Sequence, residues 1–326
     1  MKILRVGDPH VKVSNLDDAQ KLIDFVIQTA KEREVDRVEF LGDAFDTHAI
    51  IRSEVLNFWT KNFHTLSENK ISTIFLVGNH DMVLGTQNHA LSPFKGFPYL
   101  AIVDKILAKG PFLYIAYSHN EQEFLDKCNG IFSKECKVLV CHQTFTGASY
   151  ENNFFAKDGF DLSKVTQHTV ISGHIHKSQS VGKCFYPGTP MWQNSNDANQ
   201  DKGIWLFEHD HDGHVLNKEF LSTRNIVTPI LKFTYKEGED GEPDLPSNAK
   251  IHLELIGSSS WIASQKKKFK GKVSIKGIPT DKKKDRSNNN NKLLNLEDFC
   301  KNFKFSENVS SSEVFDYIRG LDVKTA

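Results

Sequence analysis

The sequence predicts an α/β fold built on a mainly parallel sheet with helices on its faces. Three observations carry that reading. The first eighty residues alternate short apolar runs with stretches of helical spacing, in the order β-α-β-α-β. Most of the apolar runs stop at a glycine or a small residue and then present Asp, Asn or His, as strands do when they deliver polar side chains to the end of a sheet. The chain has 326 residues, enough for a sizeable core and more than one domain.

The first strand, "KILRVG", ends in Asp8-Pro9-His10. Leu16, Ala19, Leu22, Ile23, Val26, Ile27 and Ala30 then fall on one face of a helix from Leu16 to Arg33, with Ser14 or Asn15 as its cap. A second strand, "RVEFLG", ends in Gly42-Asp43-Ala44-Phe45-Asp46, and a second helix covers Ser53 to Glu68. The run "IFLVGNHDMV", Ile74 to Val83, is a buried strand that stops at Gly78 and presents Asn79, His80 and Asp81. The stretch from Thr86 to Ile102 reads as loop, with two prolines and a glycine. Apolar runs return at "FLYIAYS", at "CKVLVCHQ" ending in His142, and at "HTVISGHIH" ending in His174 and His176. Thr144 to Ser163 reads as a long aromatic and polar loop near the site. "GIWLFEHD" and "HVLNKEF" form a hairpin turning at Asp212-Gly213.

Composition shifts after Arg224. Two strands, a short helix at "SSSWIASQKKKFKG" and a further strand, "KVSIKG", make a small α+β module. "DKKKDRSNNNNK" is a polar linker, and the tail from Leu293 recovers helical spacing in two clusters. The expected organisation is a main domain over residues 1–225, a small module over 226–280, a linker over 281–292 and a helical tail over 293–326.

The strand ends collect Asp8, His10, Asp43, Asn79, His80, Asp81, His142, His174 and His176. A lone histidine such as His142 is ordinarily a satisfied core residue. Five such ends in order, each after an apolar run, are not ordinary. All are oxygen or imidazole ligands, which suits hard or borderline divalent ions such as manganese, iron or zinc and disfavours a structural zinc site. Asp-x-His and His-x-His spacings let two side chains of an extended segment grip one ion. Two such ions about 3.5–4 Å apart clamp a phosphoryl group and make hydroxide from water at neutral pH. "EHDHDGH", Glu208 to His214, is as dense in ligand types, but it straddles the hairpin turn and is expected to face solvent.

"GDPH", "GDAFD", "GNHD", "VCHQ" and "GHIH" resemble the five motifs of the calcineurin-like metallophosphoesterase superfamily, over roughly the first two-thirds of the chain. Within it, "GDAFDT", "YPGTP" and the module and tail beyond them resemble the SbcD / meiotic-recombination-eleven nuclease family and its phage recombination-nuclease members. The resemblance implies a two-sheet metallophosphoesterase sandwich flanked by helices, with a small C-terminal α+β cap module and a helical partner-binding tail. It implies that Asp8, His10 and His176 hold one metal, that Asn79, His142 and His174 hold the other, and that Asp43 bridges them. It implies that His80 assists the leaving oxygen without binding metal and that Asp81 orients it. Asp46 and His48 would support the ligands or touch substrate. The metals would be two divalent ions, manganese first, with magnesium, iron and zinc as alternatives.

The implied activity is a DNA exonuclease or endonuclease in end processing, recombination or repair, a homodimer working with an SbcC-type, SMC-like ATPase. A cyclic-nucleotide or other small-molecule metallophosphodiesterase is the alternative, and a metal-free scaffold ranks last because all seven ligand positions are filled. Protein phosphatases of the superfamily carry an arginine after the second motif and a glutamate ending the third, where this chain has Thr47 and Asp81.

The formal net charge is +0, so DNA binding must come from a local patch. Residues 249–292 carry twelve Lys or Arg against three acids, a formal +9, and Lys266, Lys267, Lys268 and Lys270 are the candidate phosphate contacts. Hydrophobic residues at 39% and charged residues at 25% fit a soluble globular protein. No apolar run spans a membrane. Five cysteines without C-x-x-C spacing read as reduced thiols of an intracellular, cytoplasmic protein.

Overall fold

A computed structural model describes residues 1–281 apart from 49, 84, 85, 87, 151–153, 240 and 272. The linker beyond residue 281 and the whole predicted tail lie outside the described residues, as does Cys300. The first elements are β1 (Lys2–Val6), α1 (Leu16–Glu32), β2 (Arg37–Phe40), α2 (Ser53–Glu68) and β3 (Thr73–Leu76), in the predicted order. Next come β4 (Leu100–Val103), β5 (Ile106–Lys109), β6 (Phe112–Ile115), α3 (Glu121–Asn129), β7 (Val138–His142), β8 (Thr169–Gly173), β9 (Gln179–Val181) and β10 (Cys184–Tyr186). The hairpin strands β11 (Gly203–His209) and β12 (Val215–Ser222) follow, then β13 (Ile230–Lys236), β14 (Lys250–Gly257), α4 (Ser259–Lys268) and β15 (Ser274–Pro279).

The strands form two six-stranded sheets, the two-sheet sandwich that the motif resemblance implied. The first runs β12-β11-β1-β2-β3-β4 and the second β5-β6-β7-β8-β10-β9. Each has a parallel centre, β1 to β4 in one and β6-β7-β8-β10 in the other, with antiparallel strands outside it. The β-α-β-α-β alternation therefore describes only the middle of the first sheet. The stretch read as loop also ends in a strand, because Leu100–Val103 pairs in register with β3.

Period-two alternation sorts the strand residues into layers. Ile3 of β1 and Ile74 and Leu76 of β3 meet Tyr114, Val140 and Ile171 of the second sheet. Leu4, Val6, Val38, Phe40 and Phe75 point the other way, onto Leu22, Ile23 and Val26 of α1 and Trp59 and Phe63 of α2. Phe124, Leu125 and Cys128 of α3 cover Leu113, Ile115, Leu139 and Cys141 on the outer face of the second sheet. The result is a helix–sheet–sheet–helix sandwich.

Charge is buried inside the layer between the sheets. Arg5 Nε donates to Glu39 Oε2 at 2.8 Å and Arg37 Nε to Glu39 Oε1 at 2.6 Å, and the Tyr114 hydroxyl donates to the same carboxylate. The guanidinium of Arg5 lies 4.4 Å from the Phe207 ring centre, and that of Arg37 lies 4.4 Å from Phe112. His209 belongs to this layer too, with its ring nitrogen 2.9 Å from Arg5. It is 1% exposed, which corrects the expectation that the whole "EHDHDGH" stretch faces solvent. His211 and His214 do face solvent, and Asp210 accepts the backbone amides of Asp212 and His214 in the turn.

The chain divides into two compact units. The larger is Met1–Tyr235, Asp240–Glu254 and Lys270–Lys276, and the smaller begins with Lys236–Glu239 and Leu255–Phe269 and resumes at Gly277. β13, β14 and β15 make a three-stranded sheet in the order β13-β14-β15. The Ser258 hydroxyl caps α4 by accepting the amide of Trp261. Among the described residues, no helix is long and apolar enough to cross a membrane.

Burial would raise the Glu39 carboxyl, but Arg5 and Arg37 overcome it and hold it below the ordinary value of 4.5. Its contribution to stability is therefore full above that value and is lost as pH falls through the depressed one. Glu39→Ala leaves two buried guanidiniums without a counter-charge and should cost about 3–5 kcal/mol, read from urea unfolding midpoints at neutral pH. A cost under about 1 kcal/mol would mean that solvent reaches the pair.

Candidate metal centre

Every predicted ligand comes from the carboxyl end of a parallel strand. β1 delivers Asp8 and His10, β2 delivers Asp43 and β3 delivers Asn79, all from one sheet. β7 ends in His142, and β8 leads directly to His174 and His176, from the other. The turns are tight enough to force non-glycine residues into the left-handed region, with φ of 43° at His10, 51° at Asp43 and 78° at His174. Backbone bonds hold them there. His10 N donates to Asp43 O at 2.9 Å, and His174 N donates to Asp8 Oδ2 at 2.9 Å. Ser14 or Asn15 was expected to cap α1, and Asn15 takes the N-cap position but makes no side-chain capping bond. Instead its side chain accepts from Lys12 N and donates to the carbonyl of His10, bracing the ligand turn.

The glycines of the motifs act across the site rather than within their own turns. A Cβ at Gly78 would lie 2.2 Å from Asp43 Oδ1, and one at Gly42 would lie 2.3 Å from His142 Nδ1. A Cβ at Gly173 would lie 2.5 Å from Asp8 Oδ1. Each missing side chain makes room for a ligand from another strand end.

The donor atoms converge. His142 Nε2, His174 Nδ1 and Asn79 Oδ1 form a triangle with edges of 2.7, 3.0 and 3.2 Å, and His142 Nε2 is 3.2 Å from Asp43 Oδ2. On the other side, His10 Nε2 is 2.9 Å from His176 Nε2 and 3.5 Å from Asp43 Oδ2. Ligands about 2.1 Å from one ion, at right angles to each other, lie about 3 Å apart. Two clusters, His10-Asp43-His80 and Asp43-His142-His174, share Asp43.

The hydrogen-bond chemistry fits a cation. His142 Nδ1 donates to the carbonyl of Leu41 at 2.7 Å. In the neutral ring Nε2 is then a lone pair, facing the oxygens of Asp43 and Asn79. Acceptors facing acceptors need a positive charge among them. Without a metal the only source is a proton: burial lowers His142, but Asp43 and Asp8 raise it well above the ordinary imidazole value. Burial and then the charge of His142 push His174 down to about 3, so it stays a neutral ligand. Burial would raise Asp43, yet His142 and the other imidazoles hold it far below the carboxylate range. Asp8 Oδ1 and His10 Nδ1 are buried without a hydrogen-bond partner. Asp8 Oδ1 has His142 Nδ1 at 3.4 Å, a nitrogen already committed to Leu41. Asp8 thus sits inside the cluster, but outside both three-residue groups.

His80 stands at the rim, half-buried, with its amide donating to Asp43 Oδ1 at 2.8 Å. Its ring does not contact Asp81, contrary to expectation. His80 Nδ1 donates to the carbonyl of Asp46 at 2.8 Å, and the ring stacks on His48 at 4.1 Å. Asp81 instead accepts the backbone amides of Gly78 and Phe45, tying the second and third motifs together. Burial and the charge of Asp43 push Asp81 up to about 8. Asp46 also accepts from Lys12, and His48 Nδ1 donates to the carbonyl of Asn79.

Three contributors carried no local signal. Lys202, 2% exposed, pairs with the buried Asp197 at 2.6 Å and donates to the carbonyl of His176 at 2.9 Å. Asp197 accepts the amides of Gln193 and Asn194, and the Gln193 side chain donates to the carbonyl of Pro9, between two ligands. Tyr117 stacks on His174 with ring centres 5.6 Å apart. Lys266, Lys267, Lys268 and Lys270 are exposed in the last turn of α4 and just beyond it, where a helix carboxyl end also favours cations.

Gly78→Ala should weaken metal binding at least about ten-fold, roughly 1.4 kcal/mol, although Gly78 is not a ligand. Calorimetric titration of the metal-stripped protein with manganese checks this. Unchanged affinity would mean that Asp43 moves aside freely.

The family profile described as calcineurin-like phosphoesterase matches residues 1–178. The chain is 26% identical over 253 residues to a protein of Invertebrate iridescent virus 3 provisionally named phosphoesterase 078R, covering 74% of this chain and 70% of that one. It is 27% identical over 294 residues to the similarly named phosphoesterase 244L of Invertebrate iridescent virus 6, covering 85% and 94%. It is 24% identical over 275 residues to exonuclease subunit 1 of Enterobacteria phage T4, covering 71% and 78%. Every residue of the donor cluster lies inside the matched segment, and the chain belongs to the calcineurin-like phosphoesterase family, a family of hydrolases.

Proposed function

We propose that the chain is a metal-dependent DNA nuclease that hydrolyses phosphodiester bonds. The observation that carries the hydrolytic part is the single carboxylate, Asp43, faced by His142 at 3.2 Å on one side and His10 at 3.5 Å on the other. Two divalent ions bound there, manganese in this proposal, would polarise the phosphoryl oxygens and supply hydroxide at neutral pH. Asp8, His10, His176, Asn79, His142 and His174 would hold them with Asp43.

His80 supplies the proton. Its Nδ1–H is committed to the Asp46 carbonyl, so Nε2 is the nitrogen left to protonate the leaving oxygen. Stacking on His48 fixes the ring plane. Two features favour DNA over a small ester: the similarity to the phage T4 exonuclease subunit, and the exposed lysines of α4.

The manganese-loaded protein should cleave a single-stranded oligonucleotide faster than it opens 2′,3′-cyclic AMP. The reverse preference would favour the small-molecule phosphodiesterase reading. His80→Asn should lower kcat on the oligonucleotide by about 10²–10⁴ while metal content stays that of the parent. Loss of metal in that variant would place His80 among the ligands, a role its 4.8 Å grouping with His10 and Asp43 also admits.

The lysines have a separate readout. Each phosphate contact contributes about 0.9 to the slope of log affinity against log salt on duplex DNA. Replacing Lys266, Lys267, Lys268 and Lys270 with Gln should flatten that slope and spare hydrolysis of a small chromogenic phosphodiester. An unchanged slope would leave these lysines as a solvated helix end.

A further inference from the structure

Beside the metal centre lies a cavity of about 580 Å³, within the range of about 300–1,000 Å³ typical of small-molecule sites. His174, a predicted metal ligand, is part of its wall, so the cavity opens directly onto the donor cluster. Five aromatic rings, Tyr117, Tyr150, Phe154, Phe155 and Phe160, stand in the wall among polar residues such as Gln143 and Thr144. Tyr117 already stacks on His174, with an interplanar angle of 23°. Phe154 and Phe155 are 69% and 66% exposed, a pair of large apolar side chains that the core does not use. They are not on a loose end. Tyr150 N donates to the carbonyl of Phe154, Ala156 N to that of Ala148, and Ser149 bridges Phe155 in antiparallel fashion. Gln179 anchors this lobe by accepting from Ser149 N and donating to Ser149 O. Lys157 and Asp158 add charge at the same wall.

We propose that this cavity is a base-stacking subsite that takes the unpaired nucleobase next to the phosphate being cleaved. The inference rests on the nuclease reading of the metal centre. Rings held by a fixed lobe offer faces that every base can stack on, which gives affinity without sequence preference. A cation at Lys157 suits the flanking phosphate. A base in such a cavity is out of its duplex, so the substrate is a single strand or a frayed end rather than an intact helix. The apolar surface alone would also suit a protein partner. The contiguity with His174, and the ring stacked there, favour the nucleotide.

The test uses the full chain loaded with manganese and two substrates, single-stranded (dT)5 and methyl 4-nitrophenyl phosphate. The double variant Phe154→Ser/Phe155→Ser changes only exposed rings, so it should fold and keep its metal content. Its KM for (dT)5 should rise about ten-fold or more, with kcat/KM for the chromogenic ester unchanged. An abasic residue beside the cleaved phosphate should cost the parent protein a similar factor and cost the variant nothing further, because both changes remove the same stack. Equal losses on the abasic oligonucleotide in parent and variant would overturn the proposal, as would an unchanged KM for (dT)5. A parent protein that hydrolyses the ester and no oligonucleotide would overturn the nuclease reading itself, and the subsite with it.

Discussion

One buried carboxylate, Asp43, sets the terms for everything around it. Its Oδ1 accepts the His80 amide at 2.8 Å, and its Oδ2 faces imidazoles of both donor groups. A buried charge costs several kcal/mol unless it is compensated. Imidazoles and a backbone amide provide that compensation here, and cations would complete it. The cost explains the crowding. The ligands must come close, so Gly42, Gly78 and Gly173 give up their side chains to let them. The strand ends must converge from two sheets, so the sheets must stack with their carboxyl ends together.

The convergence of the donor residues was legible because each part is local: an apolar run, a glycine, and one or two polar residues at alternate positions. What the sequence concealed depends on residues far apart. The motif resemblance implied two sheets, but nothing local showed that β1 pairs with β11 across some two hundred residues. Arg5 and Glu39 interrupt apolar strands in their sequences, and neither shows that it faces the other until the strands are in register. Lys202 looks like any surface lysine next to an aspartate, and only the fold puts it under His176. The glycines were visible, but which strand end crowds each of them shows only once the sheets are stacked. Within residues 226–280 the strands and helix read from the sequence form, and the boundary between the compact units cuts through β14.

Stability is distributed unevenly as a result. His10, Asp43 and His174 hold left-handed backbone, and Asp8 Oδ1 and His10 Nδ1 lack partners. Such strain persists only where the surrounding structure over-determines it. The apolar layers on either side of each sheet do so here, with Leu4, Val6 and Phe40 on one flank and Leu139 and Cys141 on another fully buried. Local rules are broken at the strand ends and, outside the Arg5-Glu39-Arg37 cluster, largely kept beneath them, which is the pattern expected of a working site on a stable scaffold.

The origin of the ligands has a mechanical corollary. Cys128, Cys136, Cys141 and Cys184 form no disulfide, and no covalent cross-link ties the described part of one sheet to the other. Asp8, His10, Asp43 and Asn79 stand on the first sheet, and His142, His174 and His176 on the second. An ion held between them is a removable rivet through the sandwich. At a thousand times its dissociation constant, such an ion adds about 4 kcal/mol to the folded state, as much as a disulfide closing a long loop. Unlike a disulfide, its hold varies with supply. The lifetime of the fold, and not only its chemistry, would then follow the concentration of free metal around it.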